Sequence, residues 1–191
     1  MKNASVVILL ILLSSLALQA QTKFESEYRI KASKAPAKAV AFVQSLNPTK
    51  SIKWYKEESQ NGLSIEAKTK ISGRLHSVEF DTLGALQDLE IQIDLEEIVE
   101  SSRRLINSQL SVFFNSHSIK KVQIQYVGDP IAIRELITSG TIGDAYQTSY
   151  ELVIKGADQS GVHFYEITFD DNGELVSKLK VASRNFDHLE F

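Results

Sequence analysis

The chain contains no cysteine among its 191 residues. Disulfide staples, thiol catalysis and cysteine zinc sites are therefore excluded. A eukaryotic secreted chain of this size would usually carry disulfides, so their absence favours a bacterial export product whose core holds unaided. Other signatures are missing as well. No Gly-x-Ser-x-Gly elbow presents a nucleophilic serine. Only His76, His117, His163 and His188 are available, and no two stand at a zinc-helix spacing. No glycine-rich loop cradles a phosphate. No basic, aromatic-laced surface suits nucleic acid. The net charge of −3 bears on solubility rather than on function. No cofactor is expected.

Long apolar runs are also scarce, and the exception is N-terminal. Lys2 precedes an apolar segment from Val6 to Leu13, and small residues surround Ala20. That order is a secretory signal peptide over residues 1–20. The segment is too short to serve as a bilayer anchor. Cleavage after Ala20 leaves Gln21 first, with 171 residues and a net charge of −4. No cysteine follows the apolar run, so a bacterial lipid anchor is excluded. The expectation is a periplasmic or secreted bacterial protein without a membrane anchor.

Two turns then organise the chain. Phe80-Asp81-Thr82-Leu83-Gly84-Ala85-Leu86 and Phe169-Asp170-Asp171-Asn172-Gly173-Glu174-Leu175 share the form Phe-Asp-x-x-Gly-x-Leu. Glycine supplies a positive φ, and the aspartate bonds forward to the reversing backbone. Strands flank both turns, because apolar and polar residues alternate with period two. They are predicted near 51–58, 63–71, 75–80 and from Leu86 in the first half. In the second half they fall near 120–127, 150–154, 162–169 and 175–181. A parity shift between Leu86 and Leu89 reads as a bulge. Each half opens with a helix. Pro36 starts one carrying Val40, Val43 and Leu46. Asp94 with Glu97 forms a capping box for another, running to about Asn115.

These elements predict an α+β fold of two tandem α-β-β-β-β repeats, residues 21–93 and 94–191. Antiparallel sheets of about eight strands would carry helices on one face and leave the other open to solvent. Residues 128–145 are an insertion in the second copy, with a short helix from Ile131 to Ile137. It either carries function or caps a sheet edge.

Charge is unevenly placed. Residues 23–56 hold eight Lys or Arg, whereas residues 79–100 hold eight acids and no base. Either these are solvated faces, or the acidic run grips a cation or a basic partner.

The segment from Tyr165 to Leu175, with Ser77 to Gly84 as a weaker first copy, resembles PepSY-like proteins. Their tandem arrangement is likened to that of the β-lactamase inhibitor protein (BLIP-like). The resemblance implies an exported bacterial protein of a group mostly without established activity. It does not imply inhibition of a β-lactamase.

Little chemistry is written in the motifs. Asp170 to Glu174 fails the calcium-hand spacing and reads as a tight hairpin turn. Glu79 and Glu166 occupy matching strands and are the acids that hydrolysis would use. The aromatics Trp54, Tyr55, Tyr126 and Tyr165 lie in strands, where one of each adjacent pair is buried and the other is free to anchor a partner. The expected function is non-enzymatic binding of a protein or peptide. The alternatives are an inhibitor of a secreted or periplasmic enzyme, a calcium-responsive protein and a hydrolase.

Overall fold

Alternating strands need partners for their backbone N–H and C=O groups, and here a single sheet brings the strands together. The computed structural model describes residues 22–60 and 62–182; residues 1–20, expected from the sequence to be a signal peptide, lie outside them. Ten strands form the sheet: β1 (Thr22–Lys23), β2 (Glu25–Ile30), β3 (Lys53–Ser59), β4 (Gly62–Ile71), β5 (Arg74–Asp81), β6 (Leu86–Gln92), β7 (Ser116–Gly128), β8 (Tyr146–Asp158), β9 (Gly161–Asp170) and β10 (Leu175–Val181). From β2 to β10 each strand pairs antiparallel with the next in sequence. Three helices accompany them: α1 (Ala37–Ser45), α2 (Glu100–Phe113) and α3 (Pro130–Ser139).

The expectation of about eight strands is corrected to ten. The additional pair, β1 and β2, comes from a single run of chain interrupted only at Phe24. β1 pairs parallel with β10, and β2 pairs antiparallel with β3. These are the two edges of the sheet. One short strap therefore joins both edges, and the sheet must curl until they nearly meet. The face expected to lie open is instead concave and enclosed.

The two turns match bond for bond. Asp81 Oδ1 accepts from the N–H groups of Leu83 and Ala85, each at 2.8 Å. Asp170 Oδ1 accepts from Asn172 and Glu174 at 3.0 and 2.8 Å. The following strand bulges in both places, with Gln87 and Val176 as the extra residues. Each turn docks on the helix of its own half. Gly84 (φ +84°) lies against Pro36 and Ala39, and Gly173 (φ +89°) against Ser102. A Cβ at Gly173 would stand 2.6 Å from the Ser102 carbonyl oxygen. Gln109 Nε2 on α2 also donates to the Gly173 carbonyl at 2.7 Å.

Both cores lie between the helices and the convex face. The first packs Val43 of α1 and its C-cap residue Leu46 on Trp54, Val78, Phe80 and Leu89. The second packs Ile106 and Leu110 of α2 on Leu152, Ile154, Tyr165, Ile167 and Phe169. Burying each such side chain contributes about 1.5–3 kcal/mol.

Two boundaries differ from expectation. The Asp94–Glu97 pair caps a 3-10 turn at Leu95–Glu97, in which Asp94 N–H donates to Glu97 Oε2 at 2.9 Å. Ile98 is then extended and fully buried, so the α-helix begins only at Glu100. The 128–145 insertion contains α3, capped by Asp129, whose Oδ1 accepts from Ile131 and Ala132 at 2.9 and 3.0 Å. It caps no sheet edge, since β7 and β8 are interior strands. Its Ile133 is fully buried in the first core.

Candidate functional site

Strand alternation sends every second side chain to the face opposite the helices. On an ordinary sheet that face would meet bulk water. Here the strap curls it around a cavity of about 300 Å³, to which all ten strands contribute. Its lining holds nine carboxyl groups: Glu25, Glu27, Glu57, Glu66, Glu79, Asp88, Glu90, Glu151 and Glu166. Only three lysines, Lys23, Lys68 and Lys121, face them. The volume suits a small ligand or one long side chain.

Two of the lysines, Lys23 and Lys68, are committed to particular carboxylates. Lys23 Nζ of the strap donates to Glu166 Oε2 at 2.8 Å and lies 3.2 Å from Glu25. Lys68 Nζ lies 2.6 Å from Glu27 and 3.1 Å from Glu66, under the ring of Tyr55 at 5.1 Å. Burial disfavours both ammonium groups, but the surrounding carboxylates outweigh it and raise their pKa values.

The remaining acids are under-neutralised, and burial raises several of them. Burial, reinforced by the hydrogen bond to Glu25 and by neighbouring charge, pushes Glu57 up to about 11. Glu25 moves down despite its burial, because Glu57 donates to it and Lys23 is close. The pair thus shares one proton, held on Glu57. Burial and then like charges push Asp88 and Glu90 up to about 8. Glu66 and Glu151 are raised for the same first reason. Ser77 Oγ donates to Glu66 Oε1.

Two buried acceptors lack a proper donor among the described residues. Gln123 is only 5% exposed, and its Nε2 donates to Glu90 Oε2 at 2.8 Å. Its Oε1 accepts nothing. Glu66 Oε2 has Lys68 nearby but accepts no well-aligned hydrogen bond. Oxygens of Glu27, Glu57 and Glu66 lie within 4.8 Å of one another, a spacing open to a metal. Lys68 already sits against two of these three, and the third holds a proton. The trio therefore reads as an ammonium cradle.

The aromatics singled out from the sequence are dispersed. Trp54 and Tyr165 are buried on the helix side, in the first and second core respectively. Tyr126 is half-buried on the same side, edge-to-face with Tyr146 at 5.5 Å. Tyr55 shares the carboxylate face with Glu57. Glu79 and Glu166 both line the cavity. The acidic run at 79–100 divides: Glu79, Asp88 and Glu90 enter the cavity, while Asp81, Asp94 and Glu97 serve turns and caps. Sequence reasoning missed most of the site. The signal available was one acid at mid-strand, on the polar parity, in strand after strand.

The fold has solved counterparts. A putative periplasmic protein from Bacteroides eggerthii matches with a TM-score of 0.54 at 15% identity, over 80% of this chain and 94% of that one. A DUF2874 family protein from Bacteroides ovatus matches with a TM-score of 0.51 at 11% identity, over 76% and 87%. A BLIP-like protein from Bacteroides fragilis gives 0.47 at 15% identity, over 76% and 86%. The likeness in fold rests on the first two, and at such identities it extends to fold alone. No family model matches the sequence. No curated protein matches it significantly. The comparisons lend nothing to the PepSY half of the resemblance.

Proposed function

We propose that the protein is an exported, non-enzymatic binding module that receives a protein or peptide partner at its curled carboxylate face. One observation carries this reading: all ten strands converge on a single cavity whose nine carboxyl groups exceed its lysines threefold. A structural core would hardly retain so many buried acids, since each costs stability unless paired. Export rests on the segment at residues 1–20. Among the described residues no helix is long and apolar enough to cross a membrane.

Selection of a displayed peptide library on the immobilised protein tests the reading. Selected peptides should bind the wild type and lose about tenfold or more on Tyr55→Ala, if Tyr55 anchors the partner beside the cavity. Binders indifferent to Tyr55→Ala and to Glu151→Gln would remove the face from consideration.

A hydrolytic reading has one observation in its favour. Asp88 and Glu90 both titrate near 8, where a carboxyl can act as a general acid. Turnover in a broad substrate screen, abolished by Glu90→Gln, would replace the binding reading.

A further inference from the structure

The cavity's chemistry specifies more than its shape does. Its unfilled group is an acceptor. Gln123 Oε1, on β7, is buried and accepts nothing among the described residues. Glu66 Oε2, on β4, is by contrast ion-paired with Lys68 at 3.1 Å. A buried acceptor without a donor costs stability, so its persistence marks a place where a donor arrives.

The protein also shows which donor its carboxylates accept. Lys68 is an ammonium held by Glu27 and Glu66, and Lys23 is one held by Glu166 and Glu25. Both come from flexible alkyl chains lying along the cavity wall.

We propose that the cavity binds a further alkylammonium group, donated to Gln123 Oε1 and the adjoining Glu90 and Glu151 carboxylates. This rests on the reading of the carboxylate face as a binding surface and names the chemistry it selects. The group has two sources, a free linear polyamine or a lysine side chain of a peptide. A divalent metal is the less suited occupant, because Lys68 already holds the tightest carboxylate trio.

The neighbouring acids supply a readout. Asp88 and Glu90, pushed up to about 8, hold protons into the neutral range, Glu151 is raised by burial as well, and an arriving ammonium drives such protons off. The cations already facing them are Lys23, Lys121 and Lys68.

Isothermal titration calorimetry at pH 7 in two buffers of different ionisation heat tests the proposal. The titrants are spermidine, an end-capped trilysine peptide, calcium chloride and the neutral 1,8-octanediol. At least one amine should bind in the micromolar range with proton release, and the diol should not bind. Gln123→Leu removes the idle acceptor together with the Nε2 hydrogen bond to Glu90, and circular dichroism checks that it folds. The variant's amine affinity should fall about tenfold or more. Gln123→Leu folding normally with undiminished amine affinity would overturn the proposal. So would the failure of both amines at millimolar concentration, or binding of calcium alone. Spermidine bound without trilysine would uphold the ammonium site and count against a peptide partner. Peptides lacking lysine and arginine that bind through the face would uphold that reading and defeat this one.

Discussion

Replacing Glu90 with glutamine should stabilise the protein in alkaline solution and leave it unchanged in mild acid. Glu90 lies on β6 opposite Ser77 on one side and Gln125 on the other, inside the cavity. Its pKa rises from 4.5 to about 8, first through burial and then through Asp88. In the fold it therefore keeps its proton at pH values where the unfolded chain has released it. Stability attributable to this group is undiminished below about 4.5, falls as pH rises through the interval to about 8, and is constant above. At about 1.4 kcal/mol per pH unit, an isolated dry site would lose about 5 kcal/mol across that interval. Water reaching the cavity and the charge shared with Asp88 reduce this to about 2 kcal/mol. Glutamine is neutral throughout, and its carbonyl oxygen still accepts from Gln123 Nε2. Urea denaturation of wild type and Glu90→Gln at pH 4.5, 6.5 and 8.5 provides the measurement. The two should agree within about 0.5 kcal/mol at the lowest pH and diverge by about 2 kcal/mol in favour of the variant at the highest. A gap independent of pH, or a variant weaker at pH 8.5, would refute the argument that burial strains this carboxylate.

Three further outcomes follow from packing and backbone conformation. Gly173→Ala puts a methyl 2.6 Å from the Ser102 carbonyl oxygen at a φ of +89°, so chemical denaturation should show a loss of about 2–4 kcal/mol. Gly140→Ala has a positive φ but open space around it, and should cost about 1 kcal/mol. Ile133→Ala should cost about 2–5 kcal/mol, because the inserted helix contributes a fully buried side chain to the first core. A melting temperature unmoved by that change would reassign the insertion to the surface.

The strands on the convex face were legible because their apolar parity is unambiguous. Leu89 and Ile91 alternate with Asp88 and Glu90, and the structure places Leu89 in the core and both acids in the cavity. The bulge after the Gly84 turn was legible for the same reason, as a break in that parity. The strap was not. Glu25-Ser26-Glu27-Tyr28 offers no apolar face, since its inward side belongs to a polar cavity and its outward side to solvent. The cavity stayed hidden with it. Alternation states that Glu66 or Glu151 is turned away from the core. It does not state whether the far side is water or an enclosed hollow. That difference is decided by pairing between opposite ends of the chain, which no local pattern records. The helix start expected directly after Asp94 was misplaced because a capping box caps a 3-10 turn as readily as an α-helix.

The strap imposes an order of events on folding. Thr22 pairs with Lys180, so the earliest described residues find half their partners only when nearly the latest have been delivered. A chain delivered N-terminus first can build its hairpins one after another from neighbours in sequence, yet must leave its own beginning unattached throughout. Long-range closure of that kind is slow, and the outer edge of β10 is exposed until it happens. The hollow thus comes into being at the final step, and a molecule arrested just before it would have nearly all its secondary structure and no place for a guest.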